Sequence, residues 1–498
     1  MTLIHPGLAA DRRGGIAPLA AACLTAAWAL ATSLVAASLA AAQEPETTWV
    51  EVELRVDGEL FAEADPARPP VTWPIRLDAG FVFREQQRPM EEDAPIARRY
   101  LTARADVTSD GQPSHTALAA DARDVLLTLR GTTPSPYLAD GFLSREEAEL
   151  LDLPFESMLI DGLRPTEGVA PETTWRVPAD LTAGLLSIDT VESGGIDARL
   201  VEVTDGVARV SLEGTVTGAV AGAATRIELS GRFQCPASAA SEPGLWRLDG
   251  RVQQLAVEIA ERREAGWVAP GLTVTAALTL TRSSSAPAAS DSLGSETPAG
   301  LAPAAAARPR GPGRPGIVWE RHRLGRFTLV IDDRWSVVED GSEGLVMRLM
   351  DRGALVAQCS ILPLPRINPE SAPDEATVRR DVERSLGDQF GLITAGETAT
   401  RADGTTIVRV VAEGTAEDRP FRWIHQVLTD PAGHRAAVTC MHEPAVAERF
   451  GIADRELVAG LVLTADRSSD PLRQARNPPS SAGAESAEEN QAGSPSTP

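Results

Sequence analysis

The sequence contains no lysine; every basic side chain other than histidine is an arginine. A GC-rich genome writes arginine for lysine, and on a solvated face the exchange costs little. Its chemical consequence is sharper. No Schiff-base lysine, P-loop lysine or kinase-type lysine exists, and the enzyme classes built on them are excluded. The motifs H-E-x-x-H, C-x-x-C and G-x-S-x-G are absent too. The net charge of -23 over 498 residues leaves no basic footprint for phosphates, which excludes nucleic acid and argues against an anionic membrane surface. One nucleotide-type motif is present and false. Gly311-Pro312-Gly313-Arg314-Pro315-Gly316 satisfies G-x-G-x-x-G, but it follows no strand, opens no helix, and its prolines remove amides a phosphate would need.

The first 42 residues read as an export signal. Arg12 and Arg13 precede an apolar run from Ile16 to Ala42, which ends in Ala40-Ala41-Ala42 before Gln43. The run is long enough to serve instead as an uncleaved anchor over 16–42. Its alanine richness and Pro18 favour cleavage. A twin-arginine reading is weakened by Gly14-Gly15, and Cys23 only loosely imitates a lipobox. The expected location is therefore periplasmic or extracellular, with membrane tethering as the alternative. Export would place Cys235, Cys359 and Cys440 in an oxidising compartment, an odd count that allows one bridge and one free thiol.

Residues 283–316 and 467–498 are rich in Ser, Ala, Pro and Gly and show no strand or helix period, so a disordered linker and tail are expected there. A flexible linker of that length would let the modules beside it bind separate things, or one thing bivalently. The first module, 43–282, alternates apolar and polar residues. Trp49 to Val56 opens it, Ala79 to Arg84, Tyr100 to Thr108 and Arg123 to Gly131 continue, and Ser144 with Glu147 makes a capping box for a short helix to Leu151. A helical region over Pro154 to Leu163 and a second short helix over Asp180 to Ser187 follow. From Val210 to Arg282 the alternation predicts antiparallel strands in sequence order, with Ile227, Leu229, Phe233 and Cys235 inward and a bulge near Val252 to Leu255. The predicted class is α+β, mainly antiparallel β, with a curled sheet or half-barrel here. Gly214, Gly218 and Gly231 on the inward parity mark bends, or else room for a ligand.

The second module, 317–466, predicts a strand and turn at Arg326 to Trp335, and strands at Leu345 to Met350 and Leu355 to Leu362. A helix over Asp374 to Gln389 follows, then strands at Thr406 to Glu413, Arg419 to Thr429 and Arg435 to His442, and two short helices over Pro444 to Phe450 and Asp454 to Leu463. This order, the stretch F-T-L-V-I-D-D-R-W at Phe327 to Trp335, the W-I-H-Q-V-L-T-D-P-A-G-H-R hairpin at Trp423 to Arg435, and the terminal helix pair between Phe450 and Leu461 resemble the PsbP-like fold. The resemblance implies an antiparallel sheet sandwiched by helices, in a family of photosystem accessory subunits and small binding or lipoprotein modules. It implies an accessory or binding role, not a chemistry. The first module resembles uncharacterised secreted bacterial β-rich proteins, which adds no function.

Candidate chemistry is thin. His425, His434 and His442 lie on or beside neighbouring strands with Glu443 next in sequence, a combination that could ligate a metal. Yet His425 shares parity with Phe421 and Trp423, and His434 sits in a turn, so core and turn histidines are the better reading. The acidic pairs Glu91-Glu92-Asp93, Glu146-Glu147 and Asp332-Asp333 fall at turns or helix starts. Arg308, Arg310 and Arg314 form a basic, Pro-rich segment that reads as solvated linker rather than as a docking site for an acidic partner. No catalytic, cofactor or metal residue is assigned. Cys359 and Cys440 form the one candidate disulfide, with two separate buried thiols as the alternative. The expected function is an exported, non-enzymatic binding or accessory protein of the cell envelope, with a protein or small apolar ligand as partner. The alternatives are a carrier of an apolar ligand in the first module and an envelope hydrolase whose residues meet only in the fold.

Overall fold

The strand Thr47–Ala62 alternates strictly, with Val50, Val52 and Leu54 buried and Glu53 and Arg55 exposed, and it lies at the centre of a twelve-stranded antiparallel sheet. The computed structural model describes residues 47–62, 70–86, 94–266, 268–286 and 308–464. From that central strand the chain meanders to one edge through Val71–Gln86, Ile96–Ser109, Asp124–Arg130 and Thr133–Leu138. It then crosses to the far edge at Thr174–Arg176 and winds back through Thr190–Thr204, Val207–Val220, Ala223–Pro236 and Gln254–Arg263. The last strand, Gly271–Ser283, closes on the first, with Val52 opposite Leu280 and Leu54 opposite Leu278. The two edge strands do not pair with each other, so the sheet is curled and open.

The crossover, residues 139–188, fills the concave face. Leu150, Leu153, Phe155, Ile160, Leu163 and Leu185 join one core with Phe81, Phe83, Leu200 and Phe233 from the sheet. Phe81, Phe83, Phe155 and Phe233 are each 1% exposed, and burying each ring stabilises the fold by about 2 kcal/mol. The inward glycines serve strand approach. A Cβ at Gly218 would lie 2.0 Å from the Thr190 carbonyl oxygen, beside a register shift, and one at Gly214 would lie 2.5 Å from that of Gly195. A carrier ligand would have to displace the crossover. The parity slip expected near Val252 to Leu255 is present: the Gln253 N–H donates to the Gln234 carbonyl at 2.8 Å while Gln254 is the register partner of Gln234. Residues 251–253 precede the strand, and the Val252 N–H donates to Asp161 Oδ1 at 2.8 Å, which accounts for the change of parity.

The expected capping box at Ser144 and Glu147 is present on the helix Arg145–Leu150. Helical structure over 154–163 is confined to a 3-10 turn at Ile160–Leu163, and the second short helix is Ala179–Leu185.

The crossover is also held by buried charge. Arg98 on Ile96–Ser109 donates to Glu85 at 2.8 and 3.0 Å and to both carboxylate oxygens of Glu156, and it stacks 4.6 Å above the Phe83 ring. Ser157 donates to Glu85 Oε2 at 2.7 Å. Arg282 donates to the Ser157 carbonyl and, at 2.8 Å, to Asp161.

Composition placed Arg308–Gly316 in a disordered linker, and the structure instead docks these residues on the first half of the chain. Arg308 straddles the Glu147 carboxylate at 2.7 and 2.8 Å and donates to the Phe142 carbonyl at 2.7 Å. Asp140 bridges to Pro312, and the Gly141 N–H donates to the Gly311 carbonyl at 2.7 Å. Composition misleads here because one buried ion pair and a few backbone bonds suffice to fix a segment that has no apolar face of its own. Directly afterwards Ile317–Arg321 pairs in parallel with Leu143–Ser144, so one small sheet, completed by Phe327–Asp332 and Leu461–Leu463, takes strands from both halves. Arg130 to Asp333 at 3.0 Å and Arg145 to Glu320 at 3.1 Å add cross-contacts.

The second half is built on a seven-stranded antiparallel sheet. Its order is Trp335–Asp340, Leu345–Asp351, Ala354–Leu364, Arg435–His442, Arg419–Thr429, Thr406–Ala416 and Phe390–Thr400. The helix Glu375–Leu386, capped by Asp374, lays Val378 and Val382 against Val408, Val410 and Ala412 on one face. The other face, with Ile361, Val411, Ile424 and Val438, packs on Phe327, Leu329, Phe450 and Leu457. The terminal helices are Ala447–Phe450 and Ala453–Ala459. Among the described residues no helix is long and apolar enough to cross a membrane.

Candidate functional site

Alternation along three neighbouring strands places polar side chains on a parity that is otherwise apolar. Thr406–Ala416 turns Arg409 and Val411 toward the terminal helices, Arg419–Thr429 turns Arg422 and Ile424 the same way, and Arg435–His442 ends with His442 there. The register sets Val411 opposite Ile424 and Arg422 opposite His442. With Thr394 and Ala395 from the edge strand and Ala447, Phe450 and Gly451 from the short helix, these residues line a half-open cavity of about 270 Å³.

Each polar group is oriented from behind. Arg409 Nε donates to Asp454 Oδ2 at 2.7 Å, and that carboxylate is itself buried. Gln426 Nε2 donates to the same oxygen at 3.2 Å. Arg422 donates through Nε and Nη2 to Glu413 Oε1 at 3.0 and 2.6 Å. Nη2 of Arg409 and Nη1 of Arg422 have no protein partner among the described residues. His442 Nδ1 lies 2.8 Å from the Glu443 carbonyl oxygen, which can only accept, so Nδ1 carries the proton. The ring stacks on Phe450 at 4.6 Å. Burial pushes its pKa down, and the neighbouring Arg422 adds to this against the Glu443 bond, so the imidazole is neutral at neutral pH with Nε2 bare. The lining holds two arginines and no carboxylate.

The remaining histidines do not join it. His425 points to the opposite face of the sheet, where Nδ1 meets Thr439 Oγ1 at 3.0 Å and Nε2 is buried without a partner. His434 holds its turn through Asp430 at 2.8 Å, and the Glu443 carboxylate pairs with Arg419 at 3.4 Å. Among the described residues no three His, Cys, Asp or Glu side chains come together in a way that could hold a metal ion. Of the acidic pairs, Glu147 binds Arg308, Asp332 and Asp333 bind Arg334 and Arg130, and Glu91-Glu92-Asp93 lie outside the described residues. Cys359 and Cys440 are register partners on adjacent strands, both buried free thiols in the structure. The contact with Cys359, together with burial, raises the Cys440 pKa, and burial pushes Cys235 up to about 12, so neither Cys440 nor Cys235 is an activated nucleophile.

Burial drives the His425 pKa from its ordinary 6.5 down to about 4. A depressed histidine stabilises the fold above its unfolded pKa, and that stability is lost as pH falls toward 4, a difference of about 3 kcal/mol. His425→Gln should therefore flatten the fall in unfolding free energy between pH 6.5 and 4, read from urea titrations at several pH values.

No protein-family model matches the chain, and no curated protein does. Among solved structures, a protein from Bacteroides thetaiotaomicron aligns over 30% of this chain and 48% of its own, at 10% identity and a TM-score of 0.22. The Ran-binding protein Mog1p of Saccharomyces cerevisiae aligns over 30% of this chain and 95% of its own, at 9% identity and a TM-score of 0.25. Lipovitellin aligns over 49% of this chain and 26% of its own, at 10% identity and a TM-score of 0.23. This chain thus spans about half or less of the first and third. At such scores the likeness is one of β-richness and carries no role.

Proposed function

We propose that the chain is an exported, non-enzymatic binding or accessory protein of the cell envelope. In this reading residues 1–42 direct export, an N-terminal β module spans 43–282, and the C-terminal module at 317–466 is PsbP-like. The observation that carries the reading is the cavity beside His442. Its donors on Arg409 and Arg422 flank the apolar register pair Val411 and Ile424, with Phe450 contributed by the short helix, the make-up of a small-ligand site. A hydrolase would need a nucleophile activated by the base; the one hydroxyl on the lining, Thr394, donates to the Val411 carbonyl instead, at 3.4 Å. Native mass spectrometry of the purified chain tests this. A retained small molecule or protein partner is the expected result, and a stoichiometric metal or turnover of envelope esters or amides would contradict it.

Export also sets an expectation for the thiols. Register partners on antiparallel strands lie within bridging reach, so oxidation should join Cys359 to Cys440. Alkylation of denatured, unreduced protein followed by peptide mapping should modify Cys235 and spare the other two. Full modification of all three would refute the bridge.

A further inference from the structure

We infer that the cavity beside His442 takes the carboxylate of a small organic acid carrying a short branched apolar tail. The inference rests on the binding-protein reading above and names its ligand class. Arg409 is held by Asp454 through Nε and by Glu397 through Nη1, and Arg422 by Glu413 through Nε and Nη2, which fixes each fork and leaves Nη2 of Arg409 and Nη1 of Arg422 as donors on the lining. Two such donors suit a planar carboxylate, and holding them in place beforehand removes the ordering cost from binding. The chain as a whole carries -23, and Asp454, Glu397 and Glu413 each pair with one of these arginines, so the pull on an anion comes from the open N–H groups rather than from net charge. Between the donors, the register partners Val411 and Ile424, with Phe450, offer a surface that a hydrated phosphate would leave wet. The volume of about 270 Å³ exceeds what an inorganic anion fills.

The probe is isovalerate, titrated into the full chain and followed by calorimetry or saturation-transfer NMR, with isoamyl alcohol and inorganic phosphate as controls. A ligand of this size should bind with a Kd on the order of 1 mM. Both controls should bind at least roughly tenfold more weakly, and Arg422→Gln should weaken isovalerate by roughly tenfold or more. Ala447→Leu, which fills the cavity without touching a charge, should also abolish binding. Equal binding of phosphate, no saturable binding of isovalerate, or undiminished binding in folded Arg422→Gln or Ala447→Leu protein would overturn the inference. Native mass spectrometry separates the two claims. A ligand still retained by Arg422→Gln protein leaves the binding reading standing and removes this site, whereas a wild-type chain that neither retains a molecule or partner nor binds isovalerate removes the reading itself.

Discussion

Replacing Arg98 with methionine should cost about 3–5 kcal/mol of unfolding free energy, the loss expected when one partner leaves a buried ion cluster. Arg98 is 3% exposed, and so is Glu156; Glu85 is 2% exposed. Methionine would fill most of the volume but leave two carboxylates with too few donors. Burial would raise the Glu85 pKa, yet Arg98, Ser157 and Arg282 outweigh it and hold the group below its ordinary value. A depressed carboxylate stabilises the fold above its unfolded pKa of about 4.3, and that share is lost as pH falls below it. Urea unfolding of Arg98→Met at pH 7 should show the loss, and lowering the pH toward 4 should shrink the gap to wild type as the unpaired Glu85 takes up a proton in the variant. Replacing all three charges by apolar residues of similar volume should recover much of the stability. A change under about 1 kcal/mol for the single variant would mean the cluster is hydrated and does not hold the crossover in place.

The second large effect is expected at Arg308. Its guanidinium and the Glu147 carboxylate are both largely buried, and Glu147 also caps its helix through the Ser144 N–H at 2.8 Å. Arg308→Ala removes a bidentate partner and the bond to the Phe142 carbonyl, a loss of about 2–3 kcal/mol. The cost falls on the docked segment rather than on either core, since Arg308–Gly316 contributes few apolar contacts of its own. Local opening should become about a hundredfold more frequent, and trypsin should cut the Arg310–Gly311 bond about a hundredfold faster while the cores stay resistant. An unchanged cleavage rate would show that the parallel pairing of Val318 with Leu143 and the Arg130 to Asp333 pair hold the segment by themselves.

Strands with strict alternation were legible from residues alone. The strand Val207–Val220 buries Val210, Leu212 and Val216 as its pattern requires, and Arg435–His442 runs over the residues its alternation marks. Phe390–Thr400 was not legible, because it is an edge strand exposed along most of its length and has no apolar parity to read. Trp335–Asp340 and Ile317–Arg321 were missed for a related reason. One is six residues long and the other five, and each takes its partners from tertiary pairing. The cavity was hidden because alternation assigns charge to solvent by default. A signal existed nonetheless. Arg409, Arg422 and His442 share parity with Val411, Ile424 and Cys440, and Arg98 shares it with Ile96 and Tyr100. A charged group on the apolar parity of a strand marks either a buried ion pair or a site, and only the fold tells which. His442 was singled out with His425 and His434 as a metal candidate; its real neighbours are arginines contributed by two other strands.

The central claim is that the curled sheet keeps its concave face closed with its own crossover, while binding takes place beside His442. Hydrogen exchange of the full chain with and without saturating isovalerate tests it most directly. Exchange should slow in Thr406–Ala416, Arg419–Thr429 and Ala447–Phe450, with residues 150–163 slow and unchanged. Protection that changes in residues 150–163, with the strands around His442 unaffected, would contradict it.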